Sequence, residues 1–128
     1  MTTAMSNTQP VVIELDQIGK SYQMADETFF ALRELSLQIR QNEYVAIIGP
    51  SGSGKSTLLN MLSLLDEPTS GQIILNGRDV YSINSGNLPK IRSEYLGFVF
   101  QSFNLIPTLT ALENVMLPLR YSGVRLTD

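Results

Sequence analysis

The sequence predicts an α/β fold, with an antiparallel β subdomain at its N-terminal side and a mainly parallel core sheet. Three observations carry that expectation. Segments near the start alternate apolar and polar residues, as half-buried strands do. The run Val45-Ala46-Ile47-Ile48 is continuously apolar, which suits a strand covered on both faces, the usual state in a parallel sheet. A glycine-rich turn follows it directly and leads into a stretch with apolar residues at helical spacing.

Taken in order, residues 1–10 (MTTAMSNTQP) are polar and read as a flexible tail. They have neither the basic start nor the apolar stretch of a secretory signal. Residues 11–22 alternate well enough for a strand, residues 29–39 supply one or two more, and MADE between them is a turn. Residues 43–49 form the buried strand. From Ser56 to Leu65, the positions of Leu58, Met61, Leu62 and Leu65 predict a helix, which Pro68 and Gly71 stop. GQIILNG is a short strand closed by an Asn76-Gly77 turn. Residues 88–95 predict an amphipathic helix with Leu88 and Ile91 inward and Lys90, Arg92 and Glu94 outward. Residues 96–100 (LGFVF) predict a second buried strand. Thr110 and Glu113 form a capping box ahead of a helix disturbed by Pro118.

Composition narrows the function classes. In 128 residues, 43% hydrophobic and 16% charged content is ordinary for one modest globular domain. A net charge of −3 without a broad basic run argues against a dedicated nucleic-acid binder, which needs clustered Lys and Arg to displace phosphate counterions. There is no cysteine, so disulfides and thiolate metal sites are excluded, and no histidine, the commonest general base and metal ligand. No apolar run approaches the ~20 residues that cross a bilayer. The expectation is a cytoplasmic chain able to dock on a membrane protein.

The chemistry concentrates in GPSGSGKST, residues 49–57. Gly49, Gly54, Lys55 and Ser56 satisfy the phosphate-loop pattern G-x-x-x-x-G-K-[ST], within the loop Gly49, Pro50, Ser51, Gly52, Ser53, Gly54, Lys55, Ser56 and Thr57. The glycines let backbone N–H groups converge on an anion as a nest, and the helix that follows adds its positive end. Lys55 supplies a compact charge for the β- and γ-phosphates, the Ser56 hydroxyl is placed to ligate Mg²⁺, and Thr57 is expected on the α-phosphate side. A flexible Gly/Ser turn would match by chance on the order of 10⁻² in a chain this long, so nucleotide binding is the stronger reading.

GPSGSGKSTLLNML followed by PTSGQIILNGRDV resembles the ATP-binding subunit of ABC transporters, a P-loop NTPase fold. GFVFQSFNLIPTLTALENVMLPLRYSG is similar to the lipoprotein-releasing and macrolide-exporting branch of that family. The similarity runs from about Ile13 to the last residues. It implies that Tyr22 stacks on adenine, although an ordinary strand residue would look the same. It also implies that Gln101 contacts Mg²⁺ and the attacking water, and relays nucleotide state to the membrane subunit. Phe103, Leu105, Ile106 and Leu109 would belong to the surface that meets that subunit; local core packing is the equal alternative for each. The implied ligands are ATP and Mg²⁺. The implied partners are an integral membrane transporter subunit and a second ATPase subunit, placing the assembled protein on the inner face of the cell membrane.

The family's active site also uses a signature from the opposite subunit, an Asp-Glu pair after a later strand, and a histidine. None can be placed in this sequence. Residues 11–128 therefore read as an incomplete ABC-type nucleotide-binding domain, expected to be marginally stable and weak or inactive in hydrolysis. Asp66-Glu67 imitates the catalytic pair, but a helix starting at the nucleotide carries Asp66 roughly 15 Å from Ser56, at the wrong end of the strand–turn–helix unit. Two other readings stay open: a non-hydrolysing nucleotide-binding or interaction module, and a soluble ABC-type ATPase acting on nucleic acid or the ribosome.

Overall fold

Val11–Met24 forms β1 and Glu27–Arg40 forms β2, joined by the two-residue turn Ala25-Asp26 and paired antiparallel along their length. The alternation in the sequence is thus realised as one long hairpin, with one strand over residues 27–40. In this computed structural model, residues 9–82 and 88–121 are described, and two compact units divide the chain, Met1–Ser85 and Gly86–Asp128. The sequence-predicted tail falls largely on residues 1–8, outside the described residues. Gln9 and Pro10 are held to the end of β2, where Arg40 Nη1 donates to Gln9 O at 3.0 Å and Gln41 N donates to Pro10 O at 2.9 Å.

In the first unit, Ser70–Leu75 (β3) pairs antiparallel with β1, and Arg78–Asp79 (β4) closes a hairpin on β3, giving the order β2-β1-β3-β4. The Asn76-Gly77 turn has positive φ at both residues, 49° and 76°, as a two-residue hairpin with right-twisted strands requires. β1 is bulged between Asp16 and Gly19. Gln17 (φ 52°) has left the regular ladder there, and its N–H donates instead to Ser36 Oγ at 3.0 Å.

Lys55–Leu62 forms α1, which packs on β2. Its buried residues Leu58 and Met61 join Leu15, Ile18, Leu32 and Ile73 in the core, where Met61 and Ile18 are 0% exposed. The helix stops three residues earlier than the periodicity predicts. Leu64 turns into the left-handed region (φ 55°) and is buried, while Leu65 is exposed. The turn lets one leucine reach the core that a continued helix would have rotated away from it.

The two continuous apolar segments depart from expectation. Residues 43–49 and 96–100 are not strands, and Tyr44, Val45, Ile48, Phe98, Val99 and Phe100 are exposed. A parallel strand is held by ladder bonds from neighbours on both sides, and among the described residues no strand lies beside either segment. The described sheet is antiparallel throughout. The α/β class and the antiparallel subdomain stand, and the parallel core sheet is not found among the described residues.

In the second unit, Leu88–Tyr95 (α2) has the predicted bounds, with Leu88 and Ile91 half-buried and Lys90 and Glu94 exposed; Arg92, expected outward, is half-buried. Ala111–Tyr121 (α3) begins at the predicted capping box. Thr110 N and Oγ1 both donate to Glu113 Oε2 at 2.8 Å, and Glu113 N donates back to Thr110 Oγ1 at 3.3 Å. Pro118 lies within α3.

Candidate functional site: a phosphate loop beside a tethered tyrosine

The loop that leads from Gly49 into α1 is shaped by its glycines. Gly54 caps α1 in the left-handed conformation (φ 87°), and a Cβ there would sit 2.7 Å from Ala31 O and 3.2 Å from Leu32 Cδ2. Any side chain would push the helix start away from β2, so the motif's second glycine is dictated by both conformation and space. Gly52 also has positive φ, 79°. Ser53 N donates to Pro50 O at 3.3 Å, tightening the turn.

The helix begins with Leu58 N donating to Gly54 O at 2.8 Å, and no side chain caps it. By the i→i−4 rule, the N–H groups of Lys55, Ser56 and Thr57 have no partner within the helix and point out of its positive end. Lys55 Nζ donates to Gly49 O at 2.8 Å and Pro50 O at 2.6 Å, which holds the ammonium at the loop. Ser51, Gly52, Lys55, Ser56, Thr57 and Phe29 line a cavity of about 300 Å³. The N–H groups at the helix start, one ammonium, three hydroxyl side chains from Ser51, Ser56 and Thr57, and no carboxylate make this a seat suited to an anion of several oxygens.

Tyr22 lies on β1 directly opposite Phe29, so the cross-strand neighbour of the sequence-predicted tyrosine is the residue that walls the phosphate cavity. Tyr22 is 38% exposed, and its hydroxyl donates to Asp66 Oδ2 at 3.1 Å. Lys20 Nζ donates to Asp66 Oδ1 at 2.7 Å and to Glu67 O at 2.7 Å, and stands over the Tyr22 ring, 5.2 Å from its centroid. The Lys20 hydrogen bond holds the Asp66 carboxyl below the ordinary carboxylate range; partial burial acts against it, and the Tyr22 hydroxyl and Glu67 N–H act with it. Asp66, set aside on the sequence as a helix stop, is the centre of this cluster.

Gln101 belongs to the second unit, in an exposed bend that follows Phe98–Phe100. Phe103, Leu105 and Ile106 are also exposed, and Leu109 is half-buried. Of the loop residues, Ser51, Gly52, Gly54, Lys55, Ser56 and Thr57 are thus gathered at one cavity, with Gly49 and Pro50 holding its lysine, while Ser53 does not line it. Phe29, Lys20 and Asp66 were not singled out as site residues on the sequence. Lys20 and Asp66 are 46 positions apart and no motif links them; the Tyr22–Phe29 pairing follows only once the hairpin register is known.

A glycine-shaped anion seat at the start of a helix, with a lysine held at it, marks a P-loop nucleotide-binding fold. Residues 32–128 match the family described as ABC transporter, and the chain belongs to that family. It is 50% identical over 113 residues to the ABC transporter ATP-binding protein YknY of Bacillus subtilis, covering 88% of this chain and 49% of that protein. It is also 50% identical over 111 residues to the macrolide export ATP-binding/permease protein MacB of Bdellovibrio bacteriovorus, covering 87% of this chain and 17% of that one. The dimeric post-hydrolysis structure of the ATP-binding cassette MJ0796, from Methanocaldococcus jannaschii, bound to ADP and Pi, superposes with a TM-score of 0.83 at 45% identity, covering 91% of this chain and 50% of that one. The chain spans about half the length of the cassette relatives it matches, and so carries part of the family's ATP-binding domain.

Proposed function

We propose that the chain is the Mg-ATP-binding portion of an ATPase that powers transport through an integral membrane subunit. The observation that carries this is the phosphate loop: Lys55 held by Gly49 O and Pro50 O, at a cavity lined by the first residues of α1. Gly52 and Gly54 give the loop its curvature, Lys55 would take the β- and γ-phosphates, and Thr57 the α-phosphate side. Among the described residues no cluster of three carboxylate or imidazole groups could hold a metal alone. A magnesium ion would supply charge neutralisation for the phosphates; the Ser56 hydroxyl and the nucleotide's own oxygens would hold it, and Gln101 is the further contact that the family resemblance implies. Tyr22 would stack on the adenine, and Gln101 would hold the attacking water and signal to the membrane subunit.

Two ATPase subunits would clamp on ATP and separate after hydrolysis, on the cytoplasmic face of the membrane. The dimeric relative bound to ADP and Pi supports the pairing, and the relative named both ATP-binding and permease protein supports the membrane partner. The exposed Phe103, Leu105 and Ile106 would face that partner. No nucleic acid is expected to bind. By itself, the chain is expected to bind nucleotide with little turnover.

Titration with Mg-ATP and a phosphate-release assay test this on the purified chain. The expected result is nucleotide binding weakened at least about tenfold by Lys55→Ala, with phosphate release at background. Binding indifferent to Lys55→Ala would overturn the assignment of the loop. Turnover abolished by the same substitution would instead overturn the expectation that the chain alone is inactive.

A further inference from the structure

We infer that Asp66 and Lys20 are positioning residues that fix Tyr22 as a one-sided platform for a purine base. The inference rests on the nucleotide reading of the phosphate loop and adds to it the device that orders the base-binding ring.

The geometry has three parts. The far end of the Tyr22 side chain is tethered, because its hydroxyl donates to Asp66 Oδ2 at 3.1 Å. One face of the ring is taken, because the Lys20 ammonium stands over it 5.2 Å from the centroid. The tether and the ammonium are themselves fixed: Asp66 Oδ1 accepts from Lys20 Nζ at 2.7 Å and from Glu67 N at 2.8 Å, Lys20 Nζ also donates to Glu67 O at 2.7 Å, and Tyr81 Oη donates to Asp66 O at 2.9 Å. The Lys20 side chain is only 13% exposed, so the ammonium does not wander in solvent.

A tyrosine near the tip of a hairpin would ordinarily sample several rotamers, and a ligand that stacks on it would have to immobilise it. Here the protein has done so in advance. With a cation on one face, a planar base would stack on the other; Phe29, directly across the hairpin from Tyr22, lines the phosphate cavity, so the platform's cross-strand neighbour borders the seat for the phosphates. Stacking on a fixed ring recognises a π-face, and a two-ring purine offers more of it than a pyrimidine. The carboxylate also sits in the turn that leaves α1, the helix whose other end carries the phosphate-binding N–H groups. One helix therefore joins the support for the base to the seat for the phosphates.

An ion pair that merely staples the helix exit to the sheet would affect every ligand alike, and that difference is the test. The whole chain is titrated with Mg-ATP and with inorganic triphosphate, which has the charges but no base. Asp66→Asn and Lys20→Met are each expected to weaken ATP binding about threefold to tenfold and to leave triphosphate binding unchanged. Tyr22→Phe, which keeps the ring and removes only the tether, is expected to show the same selective loss to a smaller degree. In a Tyr22→Ala background, Asp66→Asn is expected to add nothing. Equal losses for both ligands, or an undiminished effect of Asp66→Asn without Tyr22, would overturn the inference while leaving the phosphate loop intact. ATP binding unaffected by Tyr22→Ala would overturn the platform itself. A chain that binds neither ligand, or binds both regardless of Lys55→Ala, would overturn the loop reading and this one together.

Discussion

Asn114 binds the backbone of Ile106 through both atoms of its amide, accepting from Ile106 N at 2.8 Å and donating to Ile106 O at 3.2 Å. The same Nδ2 also lies 3.2 Å from Leu109 O and 3.0 Å from Thr110 O. A side chain in the first turn of α3 thereby fixes the loop that presents Phe103, Leu105 and Ile106.

Asn114→Ala is expected to release that loop. Losing two or three hydrogen bonds of modest net worth should favour local opening by about 2 kcal/mol. The amides of Ile106 and Leu109 should then exchange on the order of tenfold to thirtyfold faster, measured by hydrogen–deuterium exchange. Unchanged exchange at both amides would show that the loop is ordered by something else.

The Lys20–Asp66 pair gives a pH dependence of defined sign. The folded-state pKa of Asp66 is lowered, so the pair's stabilisation is fully present above the unfolded value, about 3.9, and is lost as pH falls through the lowered folded value. Asp66→Asn should cost about 1 kcal/mol at neutral pH, and the variant should lose less stability than the parent on going from pH 5 to pH 2. Urea midpoints at a series of pH values would measure both. Parallel curves for the two proteins would contradict the assignment.

Gly71 is the most tightly confined glycine in the β subdomain. It has φ 83°, and a Cβ would lie 2.4 Å from Gln17 O and 2.5 Å from Asp16 O, in the bulge of β1. Gly71→Ala combines backbone strain with a backbone clash that no rotamer relieves, and should cost about 2–4 kcal/mol. Thermal unfolding of the variant should begin well below that of the parent. A shift of only one or two degrees would mean that the bulge is soft enough to move.

Met61→Ala probes whether α1 is held by the core or by its own propensity. The side chain is 0% exposed among Leu, Ile and Val residues, and its removal should cost about 2–5 kcal/mol. An eight-residue helix is too short to persist without such packing. Nucleotide binding should weaken together with stability, since the start of the same helix forms the anion seat.

What could be read in advance divides by range. The phosphate loop, the capping box at Thr110 and the Asn76-Gly77 turn are set by neighbours within a few positions, so residue type and spacing sufficed for each. The apolar runs at 43–49 and 96–100 announce a wish for burial but not the neighbour that satisfies it, and strand formation depends on that neighbour. The helix end at Leu62 and the buried Leu64 depend on where the core lies. The Lys20–Asp66–Tyr22 cluster requires the hairpin, the helix and the turn after it to come together, and no local pattern encodes that meeting.

The two bonds from the Lys55 ammonium to Gly49 O and Pro50 O would set an admission threshold for an anion entering the loop. An incoming anion competes with two carbonyl oxygens already satisfied at short range, so what counts is the margin by which it exceeds them. A singly charged ion offers little margin, whereas a polyphosphate brings several charged oxygens to the ammonium and the helix N–H groups at once. If the loop takes a nucleotide as proposed, it would favour anions of high charge multiplicity over the common monovalent anions of the surrounding solution.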